Sequence, residues 1–302
     1  MYKFDEILIA LDLSRTDENL IRYGFGAGDL LDAKEIILMH VSSRNLQEAA
    51  PDGSGKTLQE TIEAQIQAMA APFAAQYPHI KLVVEVESGD PLTAMLKASK
   101  EQKVDLIVVG RKSVGQGSGK VARELARRAL CSVFSVPFNA KLKFDRLVMP
   151  IDYSEFSEMA MRQVLEMAHK RPSLEVVPLS IYSLPQGYLQ SGKTEEEFAE
   201  IMLANTEKRF QHFIKQFDTS GVAVRPRYQL DTKNFLGKII FNVALVEEAD
   251  LIIIGSKGRT TIAAAFLGST TEKLLKQNMV IPTLVLKKRE GNLGFFEALL
   301  NI

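Results

Sequence analysis

Short apolar runs alternate with amphipathic stretches along the whole chain. Ile7–Leu11, Glu35–Val41, Ile80–Val86, Leu106–Val109 and Val133–Val136 read as strands in the first half. Leu147–Ile151, Leu174–Ile181, Ala223–Gln229, Leu251–Ile254 and Thr283–Lys287 read as strands in the second. These runs are mostly apolar rather than alternating, which is the pattern of strands covered on both faces of a parallel sheet. Between them, stretches such as Leu92–Lys100 and Glu195–Phe217 carry apolar residues at helical spacing. Regular alternation of strand and helix predicts right-handed crossovers and a layered, doubly wound α/β sandwich.

The pattern occurs twice. Phe4–Ser14 mirrors Phe144–Ser154, placing Asp12 on Asp152 at an offset of 140 residues. Asp105–Gly110 mirrors Asp250–Gly255 at an offset of 145, and Cys131–Val136 mirrors Ile281–Leu286 at 150. The second copy therefore carries two insertions, one before its fourth strand and one inside a glycine-rich loop. Two tandem α/β domains are expected, residues 1–138 and 143–290, joined by the polar link Asn139–Lys143 and followed by an apolar tail, 291–302. In open parallel sheets ligands bind beyond the carboxyl ends of the strands, where the strand order reverses. Asp12 and Asp152 end the first strands, and Gly110 and Gly255 end the fourth. If those strands are neighbours, the two ends share one crevice.

The second copy has a glycine frame at that place: Gly255-Ser256-Lys257-Gly258, nine residues, then Gly268-Ser269. Glycines let a backbone turn sharply and approach a ligand closely. The run Glu272–Lys276 beyond them reads as a helix, and a helix start offers unpaired N–H groups with a positive dipole end. Strand, glycine loop and helix start together suit a phosphate. Ser269 and Glu272 have capping-box spacing, so the helix is expected to start there, and Lys257 and Arg259 add positive charge.

Composition narrows the partners. Lys plus Arg number 37 and Asp plus Glu 37, so no bulk basic charge favours nucleic acid. The one cysteine, Cys131, forbids an internal disulfide and suits a reducing compartment. No apolar run approaches a membrane span, and the N-terminus lacks a signal-peptide core, so a cytoplasmic location is expected.

Taken in order, the strand-end Asp12 and Asp152, the His40-Val41 ending of strand two, the Ser88-Gly89-Asp90-Pro91 turn, the Asp-Leu-Ile fourth strands and the frame at Gly255 resemble the universal stress protein family in its tandem form. The resemblance covers residues 3–288. It implies a five-stranded parallel sheet in order 3-2-1-4-5 in each domain. It also implies an intramolecular pseudo-dimer through the fifth strands, and leaves open a homodimer and an unidentified protein partner. The frame Gly-x-x-Gly, nine residues, Gly-Ser is similar to the family's ATP pattern. By that resemblance the second copy binds ATP, with or without Mg²⁺. Asp152 would meet the adenine or ribose edge with Pro150 beside it, and Ile181 would meet adenine. Gly255, Lys257 and Gly258 would lie along ribose and phosphates, and Gly268, Ser269 and Thr270 would hold the triphosphate.

The first copy departs from this pattern. Ser113 stands at the second glycine of its frame, and its loop is five residues shorter. It is expected not to bind ATP in the family manner. Ala50–Thr57 fits a relaxed Walker A pattern, but no strand directly precedes it, so it reads as a loop leading to a helix near Leu58. His40, His79, His169 and His212 lack ligand spacing. The leading functional expectation is a stress-response, nucleotide-binding regulator with ATP as a conformational or partner-affinity switch. A non-nucleotide interaction scaffold or binder of another small molecule, and a slow ATP hydrolase, remain as alternatives, the last without a general base legible in the sequence.

Overall fold

The computed structural model describes residues 3–51, 53–111, 119–185, 187, 192–233, 235–258 and 267–288. The tail 291–302, the short first-copy loop 112–118 and Arg259 lie outside the described residues. The chain divides into two compact units, with boundaries between Leu142 and Lys143 and between Leu286 and Lys287; the second unit is Lys143–Leu286, and Lys287 and Lys288 fall with the first.

The first unit runs β1 (Glu6–Leu11), α1 (Asp17–Leu30), β2 (Glu35–Ser42), α2 (Leu58–Gln76), β3 (Lys81–Ser88), α3 (Pro91–Glu101), β4 (Leu106–Arg111), α4 (Lys120–Arg128) and β5 (Ser132–Pro137). All neighbours are parallel, in the order β3-β2-β1-β4-β5. The second unit runs β6 (Arg146–Ile151), α5 (Glu155–Lys170), β7 (Glu175–Tyr182), α6 (Glu195–Ile214), β8 (Ala223–Val224), β9 (Arg227–Leu230), α7 (Leu236–Val246), β10 (Leu251–Gly255), α8 (Ser269–Gln277) and β11 (Thr283–Leu286). Its order is β11-β10-β6-β7, with β8 and β9 both parallel on β7. Each unit is a parallel α/β sandwich whose order reverses beside its first strand, as the pattern requires.

The third strand of the second unit differs from the expected single run Ala223–Gln229. It is split at Arg225-Pro226. Glu175 faces Ala223 and Leu179 faces Arg227, so the register is unbroken and Pro226 falls level with Pro178 of β7. Neither proline has an N–H to donate, and the ladder lapses there.

The repeated Asp before each fourth strand has a structural task. Asp105 Oδ2 accepts from the Glu6 N–H at 3.2 Å, and Asp250 Oδ2 accepts from the Asp145 and Arg146 N–H groups at 3.1 and 3.0 Å. These bonds pin the start of the first strand to its neighbour. The polar link is anchored rather than loose: Asn19 donates to Ala140 O at 3.1 Å, and the Tyr23 hydroxyl donates to Lys141 O. Cores are continuous along the strands; Ile7, Leu8, Ile9, Leu147, Val148, Ile252 and Ile253 are fully buried.

Candidate functional site

The crevice of the second unit lies at the tips of β6, β7 and β10. Asp152 follows the last residue of β6. Its Oδ1 accepts from the Ser154 N–H (3.1 Å), the Ser154 hydroxyl (2.6 Å) and the Ser157 hydroxyl (2.7 Å). The Asp152 N–H in turn donates to Ser157 Oγ at 3.0 Å. Ser154 also caps α5. The turn is completed by Tyr153 at φ 64°, a left-handed conformation. The carboxylate is therefore oriented through one oxygen by a local Asp-x-Ser-x-x-Ser turn.

Its other oxygen faces the glycine frame. A Cβ added to Gly258 would fall 2.7 Å from Asp152 Oδ2. Only glycine permits that approach. Gly255 is similarly confined, since an added Cβ would meet Phe156 Cβ at 3.0 Å and Lys257 O at 3.2 Å. Lys257 is half-buried, its Nζ stands 6.0 Å from the Phe156 ring centre, and burial lowers its pKa below the ordinary lysine value.

The frame closes onto α8. Gly268 donates its N–H to Ser256 O at 2.7 Å, and the Thr271 hydroxyl donates to Gly255 O at 2.9 Å. The expected capping box at Ser269 is not what forms. Gly268, extended at φ −61° and ψ 142°, is the cap residue, and Ser269 is already the first helical residue. The bond from Gly268 to Ser256 sets this register. Consequently α8 begins with a residue that has no side chain to cap it. Ser269 is exposed and Thr270 half-buried in this first turn.

The remaining expected residues fall nearby. Pro150 is half-buried in β6, opposite Leu179. Ile151 faces Ser180, so Asp152 and Ile181 stand level at the tips of adjacent strands. The structure thus brings Asp152, Gly255, Lys257, Gly258 and Gly268 together directly, and places Pro150, Ile181, Ser269 and Thr270 on the elements that border them. Sequence reasoning missed Ser154, Ser157, Phe156 and Thr271. The Asp-x-Ser-x-x-Ser spacing was the available signal for the first two.

The family model for the universal stress protein family matches residues 3–137 and again 143–287. The chain belongs to the universal stress protein family. A universal stress protein of Methanocaldococcus jannaschii is 27% identical over 162 residues, covering 49% of this chain and 98% of that protein. The crystal structure of a universal stress protein from Archaeoglobus fulgidus aligns over 96% of this chain and 98% of its own, with TM-score 0.61 and 20% identity. A universal stress protein structure from Pseudomonas aeruginosa, described as putative, aligns over 99% and 98%, with TM-score 0.62 and 14% identity. The two solved structures establish the fold.

The corresponding crevice of the first unit is built otherwise. Asp12 Oδ1 accepts from the Ser14 N–H at 3.1 Å, and Leu13 repeats the left-handed turn at φ 58°. At the place of Ser157 stands Asp17, 1% exposed, whose Oδ2 accepts from the Leu13 N–H at 2.7 Å. Burial first, then the charge of Asp12, push the Asp17 carboxyl up to about 7. At the place of Ser256 stands Arg111, 3% exposed. Its Nε lies 2.9 Å from where a Cβ on Gly119 would be, and Gly119 caps α4 at φ 59°. Burial and then neighbouring Arg123 bring the Arg111 pKa down to about 10. His40 is buried and its Nδ1–H donates to Leu11 O at 3.1 Å. The Walker-like run closes on itself: Ala50 donates its N–H to Lys56 O at 2.8 Å, and Thr57 caps α2 in a capping box with Glu60. Asp52 of that run lies outside the described residues.

Proposed function

We propose that this universal stress protein is a regulatory protein that binds ATP in its second unit and none in the family manner in its first. One observation carries the reading. The strand-tip carboxylate and the glycine frame meet with a separation that a single Cβ on Gly258 would occupy, 2.7 Å from Asp152 Oδ2. An acid held on one side and a glycine loop running into a helix start on the other suit a ligand with a hydrogen-bonding base or sugar at one end and phosphates at the other. The spacing of the frame, which resembles the family's ATP pattern, selects adenosine triphosphate among such ligands.

Asp152 would hold the adenine or ribose edge, with Pro150 and Ile181 supplying apolar contact. Gly255, Lys257 and Gly258 would follow ribose and phosphates. Gly268, Ser269 and Thr270 would receive the terminal phosphates at the start of α8. Lys257 brings a cation that burial has partly stripped of water, so pairing with phosphate recovers interaction energy. Mg²⁺ would enter as the counter-ion of the phosphates. Occupancy would couple the tips of β6, β7 and β10 and the start of α8, which is the basis of a conformational or partner-affinity switch in the cytoplasm.

The test is retention of ligand. Gently purified protein is expected to carry or bind ATP, identified by mass spectrometry, and Gly268→Val is expected to lose it while keeping the far-UV circular dichroism of the parent. Binding that survives Gly268→Val rejects the site. A non-nucleotide ligand retained by the wild type points instead to the scaffold reading.

A further inference from the structure

The sheet of the second unit ends in an open edge beside a basic helix. Strand β9 pairs with β7 alone. Arg225 and Asp231 donate their N–H groups to Val176 O and Tyr182 O of β7, at 2.9 and 2.7 Å. Backbone polar groups alternate sides along a strand, so the N–H and C=O of Tyr228 and Leu230 face away from β7. Leu230 O accepts from the exposed Gln229 side-chain amide at 3.3 Å, a bond that an incoming donor can replace. Pro226, with no N–H, stops this edge on the β8 side.

The Tyr228 ring turns towards α6, 6.2 Å from the Phe210 ring centre, and with α6 it borders a groove of about 640 Å³. The helix lines that groove with Lys208, Gln211, His212 and Lys215 and one carboxylate, Glu207, all exposed. Among the described residues none of Lys208, His212 and Lys215 makes an ion pair. The opposite face of the same strand is neutralised, since Arg227 Nε lies 2.7 Å from Glu247 Oε1. The first unit lacks this arrangement. Its equivalent helix, α2, has no Lys, Arg or His between Leu58 and Gln76 and carries Glu60 and Glu63. The basic stripe is therefore a property of the second copy and not of the fold.

An extended segment laid along β9 can exchange main-chain hydrogen bonds with Tyr228 and Leu230 as an added strand. Its side chains then point alternately to the two faces, so every second one enters the groove beside α6. Carboxylates at those positions meet the ammonium groups of Lys208 and Lys215 and the imidazole of His212. Basic side chains there meet like charge, which disfavours such a partner. We propose that the β9 edge and α6 form a docking site for an extended acidic segment of a partner protein, bound as an extra strand. The site is separate from the glycine-frame crevice and needs no nucleotide.

The probe is a short, end-blocked peptide alternating Glu and Thr, titrated into the full chain without nucleotide and followed by NMR. Amide shifts are expected at Tyr228 and Leu230 and along α6. Lys208→Glu with Lys215→Glu, both at exposed positions, is expected to weaken binding about tenfold or more. Replacing Glu by Lys in the peptide is expected to do the same, and so is methylating its pairing amide nitrogens, which leaves the protein untouched. Absence of binding up to about 1 mM peptide overturns the proposal. So does binding that amide methylation leaves unchanged, or that an oligonucleotide equals, since α6 is then a plain polyanion contact and β9 adds no strand.

Discussion

Five residues after Asp12 the chain has a buried carboxylic acid, Asp17; five residues after Asp152 it has a hydroxyl, Ser157. One residue after Gly110 it has a buried guanidinium, Arg111; one residue after Gly255 it has Ser256. Both strand-tip acids are followed by a left-handed residue, Leu13 at φ 58° and Tyr153 at φ 64°. What differs is what fills the two crevices. In the second unit the space beside α8 is bounded by the backbone of Ser256, Lys257 and Gly258. In the first, the Arg111 side chain lies against the cap of α4. A duplicated fold can thus keep its sheet order and change the side chains that border the same crevice.

The largest test of that contrast is Gly258→Val. The added branches must displace the Asp152 carboxylate or the frame itself. ATP affinity is expected to fall by about 100-fold or more, which corresponds to roughly 3 kcal/mol. Titration calorimetry reads the loss, and a thermal melt near that of the wild type shows that the second unit still folds.

The next test addresses the first unit. The folded pKa of Asp17, about 7, lies above its unfolded value. The stability linked to this group is therefore complete below about pH 4, is lost as pH rises towards 7, and is flat above. Asp17→Ser installs the residue of the second unit and removes that slope. Relative to wild type the variant should gain roughly 2–4 kcal/mol between pH 4 and pH 8. Urea unfolding at both pH values measures it, and parallel curves for the two proteins would show that Asp17 does not titrate as described.

A smaller effect is expected from Ser157→Ala. It removes the hydroxyl that bridges the Asp152 N–H and carboxylate, and leaves the two bonds from Ser154. ATP binding should weaken about fivefold, near 1 kcal/mol, with the stoichiometry unchanged. An unaltered affinity would mean that Ser154 alone orients the acid.

The architecture was legible because the repeated apolar runs and the Asp-Leu-Ile fourth strands report directly on a parallel sheet. The meeting of Asp152 with the glycine frame was legible for the same reason, since both follow from strands one and four being neighbours. Details set by single backbone bonds were not. The start of α8 depends on Gly268 bonding to Ser256 O across the loop, a contact distant from the Ser269–Glu272 pair that suggested a capping box. The split third strand depends on Pro178 and Pro226 coming level, which only the register reveals. The burial of Asp17 and Arg111 follows from elements distant in sequence closing over them, which local spacing does not report.

Calorimetric stoichiometry on the intact chain tests the central claim most directly. The account predicts one ATP per chain for the wild type and none for Gly258→Val. Two ATP per chain, or one retained after Gly258→Val, would contradict it.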